Sequence, residues 1–312
     1  GTIDIAVHEI KQNGSLGELY KASGGPWGGT CVDKNFLTFI GKIVGQDVLQ
    51  TFVRKHTLDY FDLLREFETK KRTIKSGMDT KISITLPIAI KDIFDEKGGD
   101  VKKAIAHSGY EGKVTWDRDK FRIDANLGVG FFDEPIQSTL NHVRMLLSDP
   151  SLNNVSTILL VGGFAECTLV QETLKKHFTQ TKIIIPEESG LVILKGATIS
   201  GHVPRAITTR IARFTYGIKL FKPFDPAVYP IEKKVLYNGK YYCKDTFSTC
   251  VEIGETLNVG HAVTKRGFPA KINQTEAEFN MYVSTEKSPM FTTDSSCRLL
   301  GTLTVPVPEG KT

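Results

Sequence analysis

The hydrophobic periodicity of this chain changes near residue 203, and this change sets the domain organisation. Up to that point, short runs of alternating apolar residues are interleaved with segments whose apolar residues recur every three or four positions. Beyond it, the helical periodicity disappears, and short β-type runs separated by turn signals take over. We therefore predict an α/β domain over 1–202, followed by an all-β domain over 203–312.

The first part of the chain alternates between the two kinds of element. Strands are predicted at 1–7, 17–22, 81–86, 157–161 and 182–185. Helices are predicted at 33–43, 58–75, 133–147, 168–178 and 190–201, most of them with their apolar residues on one face. The glycine-rich stretch 23–29 is predicted to be a loop.

The second part contains only strand and turn signals. Strands are predicted at 214–221, 234–237, 278–284 and 301–307. Asn238-Gly239 follows the second of these runs directly. This dipeptide is typical of a two-residue hairpin turn, because both of its positions need a positive φ.

Charge and cysteine usage exclude several classes of protein. The 312 residues carry 40 Lys+Arg against 35 Asp+Glu, and the net charge of +5 (40 − 35) is spread along the chain, so no footprint for nucleic acid is indicated. No apolar run approaches the roughly 18–20 residues that span a bilayer. The five irregularly spaced cysteines suggest neither a disulfide framework nor a zinc site, but reduced thiols in a cytoplasmic or nuclear protein.

A predicted strand, a diglycine and a predicted helix follow one another around 158–164 (ILLVGGF). Gly162 and Gly163 would let a ligand approach the backbone at the carboxyl end of the strand, where ligands bind in open α/β sheets. The helix that follows offers unpaired N–H groups. On this motif alone, a tight turn that binds nothing is the favoured alternative.

A charged stripe lies at the end of the predicted helix 58–75. Glu68, Lys71, Arg72 and Lys75 are spaced at i, i+3, i+4 and i+7, which places them on one helix face. An arginine plane can stack on an adenine ring, and carboxylate and ammonium groups can hydrogen-bond a ribose. The alternative is a solvated helix end with a surface pair between Glu68 and Arg72.

Glycines also occur where backbone N–H groups could contact phosphate. Gly1-Thr2 and the pair Gly28-Gly29 are of this kind, each weak by itself. The seven histidines are scattered, and none forms a pair with the spacing of a metal site or a nucleophilic triad. We therefore predict no metal ligands and no Ser/His/Asp catalytic residues in this chain.

Taken in series, these motifs resemble the 70-kDa heat-shock protein family. The segments 158–164 (ILLVGGF), 68–74 (ETKKRTI), 1–5 (GTIDI) and 196–197 (GA) occur in the order and rough spacing of that family. The segments 19–26 (LYKASGGP), 160–166 (LVGGFAE) and 215–217 (TYG) are similar to the corresponding segments of a divergent branch of that family. The resemblance covers essentially the whole chain and is densest over 1–202.

The resemblance implies a fold and a set of binding residues. It makes 1–202 the C-terminal lobe (lobe II) of an actin-like (ribonuclease H-like) ATPase domain, with an inner subdomain of about 1–30 and 120–202 and an outer subdomain of about 31–119. It makes 203–312 a β-rich, sandwich-like substrate-binding domain. By matching position, the residues implied to bind nucleotide are Gly1, Thr2, Gly28, Gly29, Glu68, Lys71, Arg72, Lys75, Gly162, Gly163 and Phe164.

Several positions depart from the pattern of that family. Thr30 stands where an acidic residue is usual, and Lys75 where a serine is usual. After Gly163, Phe164-Ala165-Glu166 replaces the usual Ser-Thr-Arg, so the arginine of a base clamp is lost. The segment 203–210 lacks the leucine-rich linker of the classical members. These changes bear on adenine affinity and on coupling between the domains rather than on the fold.

The resemblance also implies a function. The chain would belong to an ATP-binding chaperone that uses ATP or ADP with Mg²⁺, and 203–312 would hold unfolded peptide or a protein partner. The chain begins with Gly1-Thr2 rather than Met, and we expect it to be a fragment that lacks the N-terminal lobe and therefore does not hydrolyse ATP by itself. A nucleotide-sensing interaction protein and an actin-fold small-molecule kinase remain alternatives. A dinucleotide-binding oxidoreductase is disfavoured, because no G-x-G-x-x-G opens a helix after a strand.

Overall fold

The computed structural model describes residues 1–203, 206–265 and 275–307. The chain divides into two compact units: Gly1–Ile5 with Ser23–His202, and Ala6–Ala22 with Val203–Thr312. Within the described residues, no helix has both the length and the apolar character needed to cross a membrane. All five cysteines are free thiols.

The α-helices of the described residues all belong to the first unit. In chain order they are α1 (Gly29–Val44), α2 (Gln46–Lys55), α3 (Thr57–Lys71), α4 (Ile88–Glu96), α5 (Val101–His107), α6 (Ala125–Gly130), α7 (Asp133–Leu147), α8 (Thr168–His177) and α9 (Ser189–His202). A 3-10 turn at Gly163–Glu166 precedes α8. The helices predicted near 33–43, 133–147, 168–178 and 190–201 are confirmed.

The strands occur in both units and also continue from one to the other. They are β1 (Ile3–Ile10), β2 (Leu16–Gly25), β3 (Ile82–Thr85), β4 (Val114–Asp117), β5 (Lys120–Ile123), β6 (Thr157–Leu159), β7 (Lys182–Ile184), β8 (Ile207–Ile211), β9 (Thr215–Pro223), β10 (Lys234–Tyr237), β11 (Lys240–Val251), β12 (Thr256–Asn258), β13 (Glu276–Ser284) and β14 (Cys297–Pro306). The result is a mixed α/β fold, as predicted.

The predicted helix over 58–75 is wrong at its C-terminal end, because α3 ends at Lys71. The carbonyl of Lys70 accepts from both the backbone N–H of Thr73 (2.9 Å) and its hydroxyl (2.8 Å). In a continuing helix that carbonyl would accept from Ile74, whose N–H instead donates to Lys71. A threonine that captures a local carbonyl competes with the helix in this way.

One further local prediction needs correction, and α2 is among the elements that were not predicted. The stretch 23–29 is not wholly a loop, since β2 runs to Gly25 and α1 begins at Gly29. The helix α2 was not predicted, although Val48, Leu49 and Phe52 lie on its buried face. Its single short apolar stripe between two longer helices gives a weak periodic signal.

In the first unit, two small sheets pack with the helices. One has the antiparallel order β3-β5-β4, with Ile84 opposite Phe121 and Trp116 opposite Phe121. The other pairs β6 with β7 in parallel, with Ile158 opposite Ile183. The core of this unit is aromatic and aliphatic. Its largest fully buried side chains come from α1 to α4, from β3 and β5, from the segments directly after α3 and β3, and from the turn before α7.

A four-stranded sheet has the order β1-β2-β8-β12. Strands β1 and β2 each belong partly to the first unit and partly to the second, and the segment Ala6–Ala22 between these parts lies in the second. There, β2 pairs in parallel with β8, with Leu16 opposite Ile207. Strand β12 closes the other side of β8 in antiparallel register.

A five-stranded antiparallel sheet with the order β10-β11-β9-β13-β14 forms most of the second unit. The predicted hairpin at Asn238-Gly239 is confirmed: Tyr237 pairs with Lys240, and both turn residues have positive φ, 46° and 73°. The predicted strands at 214–221, 278–284 and 301–307 correspond to β9, β13 and β14.

Candidate functional site

A stacked pair of buried phenylalanines fixes the relation between α1 and α3. The rings of Phe36 and Phe67 lie 3.9 Å apart and 7° from parallel, and both side chains are fully buried. Asp33 precedes Phe36 by three residues, and Lys71 follows Phe67 by four, so each lies on the same helix face as its phenylalanine. The ring stack therefore brings Asp33 and Lys71 together.

The ammonium of Lys71 is buried and has acceptors for all three of its protons. Its Nζ donates to Asp33 Oδ1 (2.7 Å) and to the carbonyl of Gly29 (3.2 Å), and it forms an ion pair with Glu68 Oε2. A buried lysine of this kind is stable only when it is paired. In this structure Lys71 thus holds the end of α3 to the start of α1.

The two carboxyl groups around Lys71 respond differently to their surroundings. Burial raises the pKa of Asp33 above its ordinary value, against the lowering effect of its hydrogen bond with Lys71. Burial also acts to raise the pKa of Glu68, but hydrogen bonds from Lys71 and Arg72 outweigh it, and the pKa of Glu68 is lowered. The anionic form of Glu68 is therefore the better stabilised of the two.

Arg72 joins α3 to the segment that follows the diglycine. Its Nε and Nη2 each lie 2.9 Å from Glu68 Oε1, and its Nη1 lies 3.1 Å from Glu166 Oε2. The side chain of Arg72 is 55% exposed. Two carboxylates thus fix the orientation of the guanidinium plane, while the Arg72 side chain stays accessible to solvent.

The diglycine bend has a geometry that suits close approach of a ligand. Gly162 has a φ of 91°, a left-handed conformation that favours glycine, and its N–H donates to the carbonyl of Ser189 (2.7 Å). A Cβ added at Gly162 or at Gly163 would meet no atom within 4 Å. The space beside both residues is therefore open.

Phe164 follows the diglycine and packs inward. Its ring is parallel to that of Phe132 within 2°, with centroids 6.4 Å apart. A Cβ built on Gly29 would lie 3.8 Å from the Phe164 ring and 3.3 Å from Lys71 Nζ. The start of α1, the end of α3 and the 3-10 turn at Gly163–Glu166 therefore converge.

The first residues of the chain contact the same region. The N–H of Gly28 donates to the carbonyl of Gly1 (3.2 Å), and the hydroxyl of Thr30 donates to that carbonyl as well (3.2 Å). Gly28 lacks space for a side chain, because its Cβ would lie 2.7 Å from the carbonyl carbon of Gly1. It is also the N-cap of α1, where a glycine has no side chain to cap the N–H groups of the first turn.

The structure thus brings most of the predicted site residues into one region of the first unit. Those with described contacts there are Gly1, Gly28, Gly29, Glu68, Lys71, Arg72, Gly162 and Phe164, with Thr2 and Gly163 adjacent in sequence. Lys75 is the exception. It is exposed after the end of α3, and within the described chain no hydrogen bond or ion pair joins it to this group.

Two residues of this cluster were not predicted as site residues. Asp33 is an ordinary helix residue in the sequence, and only the packing of α1 on α3 places it beside Lys71. Glu166 was recognised only as a departure from the family pattern. Its negative charge, at a position where the family usually has an arginine, could have indicated a positively charged partner such as Arg72.

In the described part of the chain, no group of three His, Cys, Asp or Glu side chains could hold a metal ion.

Comparison with curated proteins identifies the relatives of this chain. Human (Homo sapiens) heat shock 70 kDa protein 12A is 34% identical over 307 residues, which cover 97% of this chain and 45% of that protein. Human heat shock 70 kDa protein 12B is 31% identical over 310 residues, with 98% of this chain and 45% of that protein covered. This chain is a homologue of the heat shock 70 kDa protein 12 branch. The predicted resemblance to the 70-kDa heat-shock protein family is thereby confirmed.

The similarity extends through both units of the chain. The mouse (Mus musculus) heat shock 70 kDa protein 12A is 33% identical over 307 residues, again with 97% of this chain covered. The chain spans 45% of the length of these curated relatives. No family model matches the chain.

Proposed function

We propose that this chain supplies the adenosine-binding part of an ATP-binding chaperone of the 70-kDa heat-shock type. In this proposal the first unit is the C-terminal lobe of an actin-like ATPase fold. The second unit is a β-sandwich-like domain that holds unfolded peptide or a partner protein. The homology to the heat shock 70 kDa protein 12 branch supports the proposal for the chain as a whole.

One observation carries the nucleoside-binding part of the proposal. Arg72 and Glu166 are 94 positions apart in sequence, yet their side chains are hydrogen-bonded at 3.1 Å. The basic end of α3 and the diglycine bend, the two segments expected to grip a purine, therefore border the same space. A guanidinium held in plane is a suitable surface for stacking an aromatic base.

The neighbouring groups are compatible with the rest of a nucleotide. The open space beside Gly162 and Gly163 admits a ligand close to the backbone. The uncapped first turn of α1, next to Gly28 and Gly29, offers N–H groups of the kind that bind phosphate. Bound ATP with its Mg²⁺ would supply the phosphoanhydride bond whose cleavage drives a chaperone cycle.

In this proposal, neither Lys71 nor Lys75 contacts the nucleoside directly. The Lys71 ammonium already has three internal acceptors, so it would hold the site together rather than face the ribose. Lys75 lies beyond the helix end. We assign direct contact with the nucleoside to Arg72 and to the backbone around Gly163.

Calorimetric titration of the 312-residue chain with ADP tests this assignment. We expect a saturable heat, and we expect Arg72→Ala to weaken binding by about 1–2 kcal/mol, the range for a partly desolvated cation–π contact. Arg65→Ala is the matched control, because Arg65 lies on the same helix with its side chain 80% exposed. The control should bind ADP like the wild type.

Two results would contradict the proposal. If the folded wild-type chain gives no saturable signal with ADP, this chain does not bind nucleotide. If the wild type and Arg72→Ala bind ADP with equal affinity, Arg72 is not part of the binding site. Circular dichroism of each variant establishes that it is folded.

A further inference from the structure

Glu166 has two hydrogen-bond partners on two different helices. Its Oε2 accepts from Arg72 at the end of α3, and its Oε1 accepts from the backbone N–H of Gly190 (3.2 Å) in the first turn of α9. A carboxylate at that position also interacts favourably with the helix dipole. Any side chain at position 190 would collide with the Glu166 carboxylate. Glu166 therefore joins α3, the 3-10 turn and α9.

Within the described residues, no aromatic ring stacks on the Arg72 guanidinium, and the side chain is 55% exposed. Glu68 accepts from Nε and Nη2, and Glu166 accepts from Nη1, so the acceptors lie at the edges of the planar group. An arginine held only by Glu68, four residues earlier in the chain, would keep more rotational freedom at its exposed end. The second carboxylate removes that freedom before any ligand arrives, which lowers the entropic cost of binding.

We propose that Glu166 is the positioning residue of the site, which orients the guanidinium plane of Arg72 for stacking on a purine base. This inference rests on the proposed nucleoside-binding function and adds a residue to it. Glu166 acts through Arg72 and not by touching the base. Its bond to Gly190 also fixes the carboxylate itself, because one oxygen is tied to α9 while the other faces Arg72.

Adenosine titrations of four forms of the 312-residue chain, followed by ligand-detected saturation-transfer NMR, test this role. The forms are the wild type, Glu166→Gln, Arg72→Ala and the double variant. We expect Glu166→Gln to weaken adenosine binding about fivefold, the size of one exposed cation–π contact. We expect the double variant to bind no more weakly than Arg72→Ala, because Glu166 has no arginine left to orient.

Glu172→Gln serves as the matched control. Glu172 is exposed on α8, and within the described residues it has no hydrogen bond or ion pair. The control removes the same charge and should leave adenosine binding unchanged. Urea unfolding of each variant separates loss of the α9 contact, which lowers stability, from loss of base stacking, which lowers affinity.

The outcomes distinguish this inference from the proposed function. If the wild type binds adenosine and Arg72→Ala weakens it, but Glu166→Gln matches the Glu172→Gln control, the positioning role is wrong and the nucleoside site stands. If Glu166→Gln weakens binding equally with and without Arg72, Glu166 acts independently and the inference is also overturned. If the folded wild type binds no adenosine, the proposed function itself fails.

Discussion

At the scale of single residues, Lys71 decides how the candidate site is held. It lies one residue before Arg72 and is buried against Asp33 on another helix, with Lys71 and Asp33 side chains 9% and 22% exposed. Removing one member of a buried ion pair leaves the other charge without compensation. The position of Arg72 therefore depends on an adjacent ion pair that is largely buried.

We predict that Lys71→Met destabilises the first unit by about 3 kcal/mol, because the Asp33 carboxylate stays buried without its cation. Urea unfolding followed by tryptophan fluorescence measures the change, since Trp116 lies in the core of this unit. The double variant Lys71→Met/Asp33→Leu should recover most of the loss. An unfolding midpoint equal to that of the wild type for Lys71→Met alone would show that the pair contributes nothing.

At the level of helices and strands, the boundaries that carry a strong local sequence signal were predicted well, and those without such a signal were not. Asn238-Gly239 encodes its hairpin, because its two positions adopt the positive φ values that the turn requires. The end of α3 has no such signal. There, a threonine side chain captures the Lys70 carbonyl, and the helix stops four residues before Lys75.

The hairpin gives a prediction for the second unit. Gly239→Ala should lower the free energy of unfolding of this unit by about 1–2 kcal/mol, because alanine is strained at a φ of 73°. Gly301→Ala in β14 is the control, since its backbone is not left-handed and its Cβ would lie in open space. Guanidinium unfolding monitored by circular dichroism compares the two variants. Equal midpoints would contradict the proposed importance of the turn.

At the scale of the whole molecule, the chain does not divide at a single point. The segment Ala6–Ala22 belongs to the same compact unit as the residues that follow Val203. Within that unit, the Glu18 carboxylate accepts from the N–H of Ile211 (2.6 Å), and the N–H of Leu16 donates to the carbonyl of Ala206 (2.9 Å). Strand β8 therefore pairs with a strand from the N-terminal part of the chain.

We predict that a fragment of residues 203–312 is less stable than the same fragment fused through a flexible linker to residues 6–22. The expected difference is about 2 kcal/mol, which corresponds to the loss of a charge-assisted hydrogen bond together with part of a strand ladder. Urea unfolding of both proteins measures it. Fusion with a segment that carries Glu18→Ala is the control and should restore only part of the gain. Equal stability of all three would show that β8 needs no such partner.

Local sequence patterns predicted the types of elements, the loss of helical periodicity near residue 203 and the resemblance to the 70-kDa heat-shock protein family. These features follow from hydrophobic periods, from turn dipeptides and from short motifs, all of which are local along the chain. The same local patterns indicated most of the residues around the candidate site. Local patterns could not show which of these residues lie close together. Each motif was also compatible with an ordinary turn or a solvated helix end.

The packing of the helices and turns sets which of these residues meet and which partners their side chains bind. The ring stack of Phe36 on Phe67 places Asp33 at Lys71, so a lysine predicted to face a ligand is instead internally paired. The packing of the 3-10 turn on α3 places Glu166 at Arg72. Contacts between residues 38 and 94 positions apart depend on how whole elements pack, which no local sequence pattern specifies.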